Sequence, residues 1–251
     1  MNLSFAARAF VTLVIVLGLC VFGNALVSAS EIHGARLAVL LLAACLAARL
    51  KVKLPGLTGS MSVNLPFVLI AVAGTSMLEA LIVACVSNLV QCLPRNQQKF
   101  NLLRAIFNVC NMALAVEATR LVYNWPAMTA WVASPSLRLD VAAVAFFLVN
   151  TVPVAIVIVL TEGQKHNAVF STWLGISQLT FPYFVASAGV AAAVLTAAAY
   201  VGWLVPTLVL PVMLAFYYSY RRIFSASRRA ELTRKGVQSE TVGEKASGAL
   251  A

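Results

Sequence analysis

Apolar residues run almost unbroken through 9–29, 37–50, 62–74, 77–93, 103–123, 141–161, 179–201 and 203–219, with polar residues gathered in the short intervals between. The runs do not alternate, as the strands of a membrane barrel would over about ten residues. They are rich in Ala and Leu and predict helices. A helix crosses a bilayer with about 20 residues, in a range of about 17–25. Most of the runs reach that range, while 37–50 and 62–74 are short. The pattern predicts an all-α fold: a polytopic helical membrane bundle of about eight transmembrane segments, including those two short ones. The bundle occupies residues 1–222, and 223–251 form a basic, largely disordered cytoplasmic tail poor in large apolar residues.

Composition agrees. Hydrophobic residues make up 61% of the 251, charged residues 10%, and mean hydropathy is +0.91. A soluble domain is roughly half apolar and about a quarter charged, so one soluble core could not bury this much. The net charge of +10 raises the question of nucleic acid. The basic residues lie instead where membrane orientation places them, on the cytoplasmic side. With eight crossings and both termini inside, 15 of the 18 Lys and Arg fall inside, leaving Arg36, Arg120 and Arg138 outside. A re-entrant 62–74 segment would lower that contrast to 12 against 6. The sequence therefore predicts a multi-pass protein of a bacterial inner membrane, with the bilayer and no nucleic acid as its partner.

Val27-Ser28-Ala29 resembles a signal-peptide cleavage site, but the apolar stretch before it exceeds the usual 7–15 residues, which favours a retained span. The interval 124–140 carries Trp125 and Trp131 and fits an interfacial aromatic anchor better than a ligand lid. The five cysteines lie in apolar runs without C-x-x-C spacing, and His33 and His166 are far apart, so no metal or other cofactor is expected. There is no HExxH, no aspartate pair, no G-x-S-x-G and no Gly-rich phosphate loop, so the expectation is not an enzyme.

One interval stands apart: KVKLPGLTGSMSVNLPF, residues 51–67. Its Pro55-Gly56 predicts a turn, and Ser60 or Ser62 is placed to cap the short helix that follows. Short helices at membrane depth often line a cavity, because their free ends need polar partners. Ser62 and Asn64 are therefore candidate ligand-binding residues. Polar groups inside apolar runs extend the set. Glu79 opens one run, while Glu117 and Arg120 lie a turn apart and can pair with each other. Asn88, Asn108, Asn111 and Asn150 complete it. Each has a structural alternative, an interfacial salt bridge for the charges and hydrogen bonding between helices for the amides. Pro153, Pro182, Pro206 and Pro211 are expected to kink their helices.

The strings KLPGLTGSMSVNLPFVLIAVAG (53–74), LEALIVACVSNLVQC (78–92), FFLVNTVPVAIVIVLTEG (146–163) and FPYFVASAGVAAAV (181–194) resemble the membrane-embedded N-terminal region of bacterial, notably acidobacterial, signalling proteins with HD-GYP or GGDEF output domains. The resemblance implies a sensory input module that acts through a partner, without the enzymatic output. It identifies no ligand residues. A second likeness is to the substrate-binding membrane subunits of energy-coupling vitamin transporters, which place a short helix and a tight Gly turn before a Gly/Ala-rich span. That likeness implies a solute-binding or transport component. A remnant that has lost its output domain is a third reading. The small-molecule ligand, the cytoplasmic partner and the oligomeric state are not fixed by sequence.

Overall fold

The structure, a computed structural model, describes residues 4–29, 31–53, 60–94, 100–162, 168–202, 209–215, 217–219 and 222. In chain order its elements are α1 (Phe5–Val27), α2 (Gly34–Ala48), β1 (Lys51–Lys53), β2 (Ser60–Ser62), α3 (Leu65–Gly74), α4 (Met77–Cys92), α5 (Leu102–Tyr123), α6 (Pro126–Trp131), α7 (Pro135–Glu162) and α8 (Ala168–Val201). Among the described residues four helices are long and apolar enough to cross a membrane: α1, α5, α7 through Thr161, and Thr180–Ala198 of α8. Shorter apolar helices are α2, α3, α4 and the Val209–Ser219 stretch. The expected turn at Pro55-Gly56, His166, Pro206 and the tail at 223–251 lie outside the described residues.

At the centre stands α3. Its sequence LPFVLIAVAG is apolar on every side, and such a helix needs enclosure rather than one buried face. Every residue from Val63 to Val72 is buried. Around α3 pack α2, α4, α5, α7 and α8. On the α7–α8 side an aromatic cluster fills the interface. Phe147 makes edge-on contacts with Phe181 and Phe184, with ring centroids 5.3 Å and 4.9 Å apart. Such pairs add about 0.5–1.5 kcal/mol to what area burial alone supplies.

Peripheral α1 associates differently. Ser4 caps it, its hydroxyl accepting from the Ala7 amide at 3.2 Å. Ala7, Val11, Val14, Gly18 and Ala25 form its buried seam, spaced by threes, fours and a seven. Phe10, Ile15, Val21 and Phe22 flank the seam half-buried, and most of the remaining surface, including Leu13, Leu19 and Leu26, is exposed. Lipid solvates such a surface as well as protein does, so association depends on close packing of small residues. Gly18 supplies it, with the position a Cβ would occupy only 2.5 Å from Cys110 Cβ. Cys85 and Cys110 are buried, whereas Cys20 is exposed on the surface of α1.

Contacts sort the helix ends into two layers. At one, Lys51 Nζ donates to the Leu93 carbonyl (3.0 Å), and the Ser4 hydroxyl donates to the Leu160 carbonyl (3.5 Å). At the other, the His33 amide meets Glu79, Arg120 meets the end of α3, Ser136 meets Thr196, and the Arg138 guanidinium lies 5.3 Å from the Tyr123 ring centre.

Several boundaries differ from expectation. The 62–74 segment becomes helical only at Leu65, and its N-cap is Asn64 rather than Ser60 or Ser62. Ser60 and Ser62 belong to β2, which pairs antiparallel with β1 in the register Lys51↔Ser62, Val52↔Met61, Lys53↔Ser60. That ladder keeps the backbone extended only through Ser62; Asn64 is already αR, and Pro66, whose fixed φ and missing N–H suit a first turn, follows Leu65. The 124–140 interval is largely helical, containing α6 and the start of α7 at Pro135. Trp125 and Trp131 remain exposed. α8 begins at Ala168, so Pro182 lies well inside it rather than near its start, because Ser171, Thr172 and Gln178 hide the first turns from an apolar scan.

Gly18→Ala should lower the stability of the detergent-purified protein by about 1–3 kcal/mol, the usual cost of overpacking. Gly23→Ala, where an added Cβ meets nothing within 4 Å, should be neutral or slightly stabilising. Thermal unfolding of the two variants side by side checks this, and equal behaviour would count against the α1–α5 seam.

Candidate functional site

A helix leaves its first amides and last carbonyls without internal partners, and burial makes each one costly to leave unsatisfied. The N-terminal end of α3 is buried and its last turn, from Ala73 on, is half-buried, and surrounding helices supply partners at both. At the N-terminal end the Leu65 amide donates to the Tyr183 hydroxyl of α8 (3.2 Å). Pro66 has no amide to satisfy, and the Phe67 amide closes on the Asn64 carbonyl (3.1 Å). Asn64 turns its Nδ2 to the Ser87 hydroxyl of α4 (2.9 Å), which in turn donates to the Ala84 carbonyl (3.1 Å).

At the C-terminal end Thr75 caps by backbone and side chain together, its amide and hydroxyl both donating to the Ala71 carbonyl (2.9 and 2.7 Å). Arg120 then reaches across from α5, and its Nη1 donates to the carbonyls of Val72 (3.1 Å) and Thr75 (2.7 Å). A cation there also complements the negative end of the helix dipole. The expected Glu117–Arg120 ion pair does not form. The guanidinium is taken by the carbonyls of buried Val72 and half-buried Thr75, and Glu117 is itself half-buried.

Beside this end lies Glu79, only 1% exposed. Its Oε2 accepts from the Ser76 amide and hydroxyl (both 2.9 Å), and the Ser76 hydroxyl accepts from the Glu79 amide (3.3 Å), a reciprocal capping box at the start of α4. Its Oε1 accepts from the His33 amide (2.8 Å), the residue that precedes α2. One carboxylate thus serves the N-termini of two helices. It is satisfied by donors rather than by a counter-charge.

The amides tie the other helices together. Asn88 Nδ2 donates to the Asn108 carbonyl (2.8 Å), joining α4 to α5, and Asn108 Nδ2 lies 3.5 Å from Cys92 Sγ. Asn111 Nδ2 donates to the Asn150 carbonyl (3.0 Å), joining α5 to α7, while its buried Oδ1 has no partner. Trp173 Nε1 donates to the Thr151 hydroxyl (3.0 Å), joining α8 to α7. Ser62 lies in β2 with its backbone opposite Lys51.

The predicted residues therefore form no single cluster. Glu79 and Arg120 meet around the end of α3, Asn64 holds its start, Asn88 and Asn108 share one contact, and Asn111 and Asn150 another. None lines either of two open cavities found among the described residues. One, of about 220 Å³, is bounded by Arg36, Val39, Leu40, Ile70, Val194, Leu195 and Ala198. The other, of about 330 Å³ near the hairpin, is bounded by Arg49, Leu50, Lys51 and Tyr217. Ser87, Tyr183 and Arg36 were not singled out from the sequence. Only Arg36 carried a signal, as one of three arginines opposing the charge asymmetry.

No protein-family model matches the chain, and no curated protein or solved structure is significantly similar to it.

Arg120→Gln should destabilise the protein by about 2–3 kcal/mol, within the range for breaking a buried hydrogen bond to a charged group. Glu117→Gln should cost no more than about 0.5 kcal/mol, as for an exposed charge. Exchanging the two residues should be as damaging as losing Arg120. Urea or thermal unfolding of the three variants in one detergent is the check, and rescue by the exchange would restore the ion pair as the explanation.

Proposed function

We propose that the chain is a multi-pass membrane module that senses a ligand or the membrane itself and acts through a partner protein. The resemblance to input regions of cyclic-di-GMP signalling proteins is one support. The observation that carries the reading is the enclosed α3. Its one end is held by Arg120 and Thr75, and the other leads through Asn64 directly into the β1–β2 hairpin. A shift of α3 at one layer would therefore be delivered to the hairpin at the other. Buried helices packed against several neighbours move as units, because close-packed interfaces have discrete arrangements.

The proposed topology has eight crossings of a bacterial inner membrane, with the N-terminus, the hairpin and the tail in the cytoplasm. The two layers of helix ends support it, since Arg36, Arg120 and Arg138 all lie in the layer away from the hairpin. A solute-binding or transport component is the second reading, favoured by the cavity beside Arg36.

With Thr129→Cys in intact cells, a membrane-impermeant maleimide should label the protein, whereas Lys53→Cys should react only after permeabilisation. The reverse pattern would overturn the orientation. A photo-crosslinking residue at Lys53 should capture a protein bearing a signalling domain, and Asn64→Leu should change the yield at equal expression. Capture of an ATPase pair would decide for the transport reading. No capture, or none sensitive to Asn64→Leu, would end the sensor reading.

A further inference from the structure

Three arginines share the layer away from the hairpin, and two have evident partners. Arg120 caps α3 and Arg138 lies over the Tyr123 ring. Arg36, in the first turn of α2, makes no hydrogen bond or ion pair with any described residue. Its side chain is half-buried, drawn in against the end of α3. Gly74 makes the room, since Arg36 Nη2 lies 2.6 Å from where a Cβ on Gly74 would stand. The Val72 and Thr75 carbonyls at that end already receive Arg120, so they do not hold the Arg36 guanidinium by a hydrogen bond.

Arg36 forms one wall of the cavity of about 220 Å³, and everything else lining it is apolar: Val39 and Leu40 of α2, Ile70 of α3, and Val194, Leu195 and Ala198 of α8. α2 and α8 both lean on α3 but scarcely touch one another, so the cavity is a groove between them floored by α3. An apolar groove at membrane depth with one unpartnered cation at the end where the helices emerge has the polarity of an amphiphile: a hydrocarbon tail along the groove, an anionic head on the guanidinium. A guanidinium binds phosphate through paired, charge-assisted hydrogen bonds. We propose that the α2–α3–α8 groove is a binding site for an anionic phospholipid, with its phosphate on Arg36 and part of an acyl chain against Ile70, Leu195 and Ala198. Because the groove floor is α3 itself, a lipid seated there contacts the helix that leads to the hairpin. The site does not depend on the sensor reading and would stand without it.

The test is native mass spectrometry of the full-length protein, released from detergent after delipidation and titrated with phosphatidylglycerol or phosphatidylcholine of identical acyl chains. The wild type should retain the first lipid about fivefold better than the second, the preference expected of one basic residue near a lipid headgroup. Arg36→Gln should bring the two lipids to parity. Arg49→Gln, which removes a charge at the opposite end of α2, should leave the preference intact. Gly74→Ala, which preserves every charge but displaces the guanidinium, should reduce it, and it stands in for Arg36→Gln if that variant does not fold. An unchanged preference in Arg36→Gln or Gly74→Ala would overturn the site, as would equal loss in Arg49→Gln, the mark of general charge attraction. Competition by soluble glycerophosphoglycerol would also overturn it, in favour of a free organic phosphate.

Discussion

A ten-residue helix is about 15 Å long, half the hydrocarbon thickness of a bilayer. Placing α3 at the centre of an apolar bundle therefore buries one bare end and leaves the other half-buried among its neighbours. That constraint organises much of the rest. The N-terminal end needs acceptors and the C-terminal end needs donors, each delivered at a fixed height by a different neighbour. Tyr183 comes from α8, Ser87 from α4 through Asn64, and Arg120 from α5. Apolar contacts alone discriminate poorly between positions along a helix when lipid competes for the same surfaces. These few polar contacts set the register of three long neighbours against α3.

The charges follow the same logic. Glu79 and Arg120 are near the same end of the bundle yet do not pair. The carboxylate serves the amides at the start of α2 and α4, and the guanidinium serves the carbonyls at the end of α3. Each sign meets the helix terminus of opposite partial charge. Pairing them with each other would have left several amides and carbonyls without partners, a larger loss than an ion pair would recover. The tight Gly74-Thr75-Ser76 turn makes this possible, because it presents an outgoing C-terminus and an incoming N-terminus within one short segment.

Helices were the legible part of the sequence. Continuous apolar runs located α1, α5 and α7 to within a few residues, except where polar first turns hid the start of α7 and α8. The hairpin was not legible. KVK and SMS do alternate polar and apolar residues, but three residues each are too few for that pattern to be read as a strand. The polar residues were found, but their partners were misread where sequence proximity stood in for space. Glu117 is one turn from Arg120 along α5, yet the groups Arg120 serves, Val72 and Thr75, are distant in sequence. Ser87 and Tyr183 passed unnoticed because a lone hydroxyl in an apolar run has no pattern until the helix end facing it is known.

Once the structural contacts are assigned, the residues left over carry more information than those first suspected. Asn64, Glu79, Asn88, Arg120 and Asn150 all take part in bonds that hold helices together, and none opens onto a cavity among the described residues. Arg36 is the converse case. It is a cation drawn against a glycine at the end of a buried helix, facing an apolar groove, with no hydrogen bond or ion pair to any described residue. A half-buried guanidinium with free donors beside apolar side chains is a natural partner for an anion. Donors left open to a ligand thus lie not with the amides in the middle of the bundle but in the groove between α2 and α8, where the helix that leads to the hairpin is also the floor.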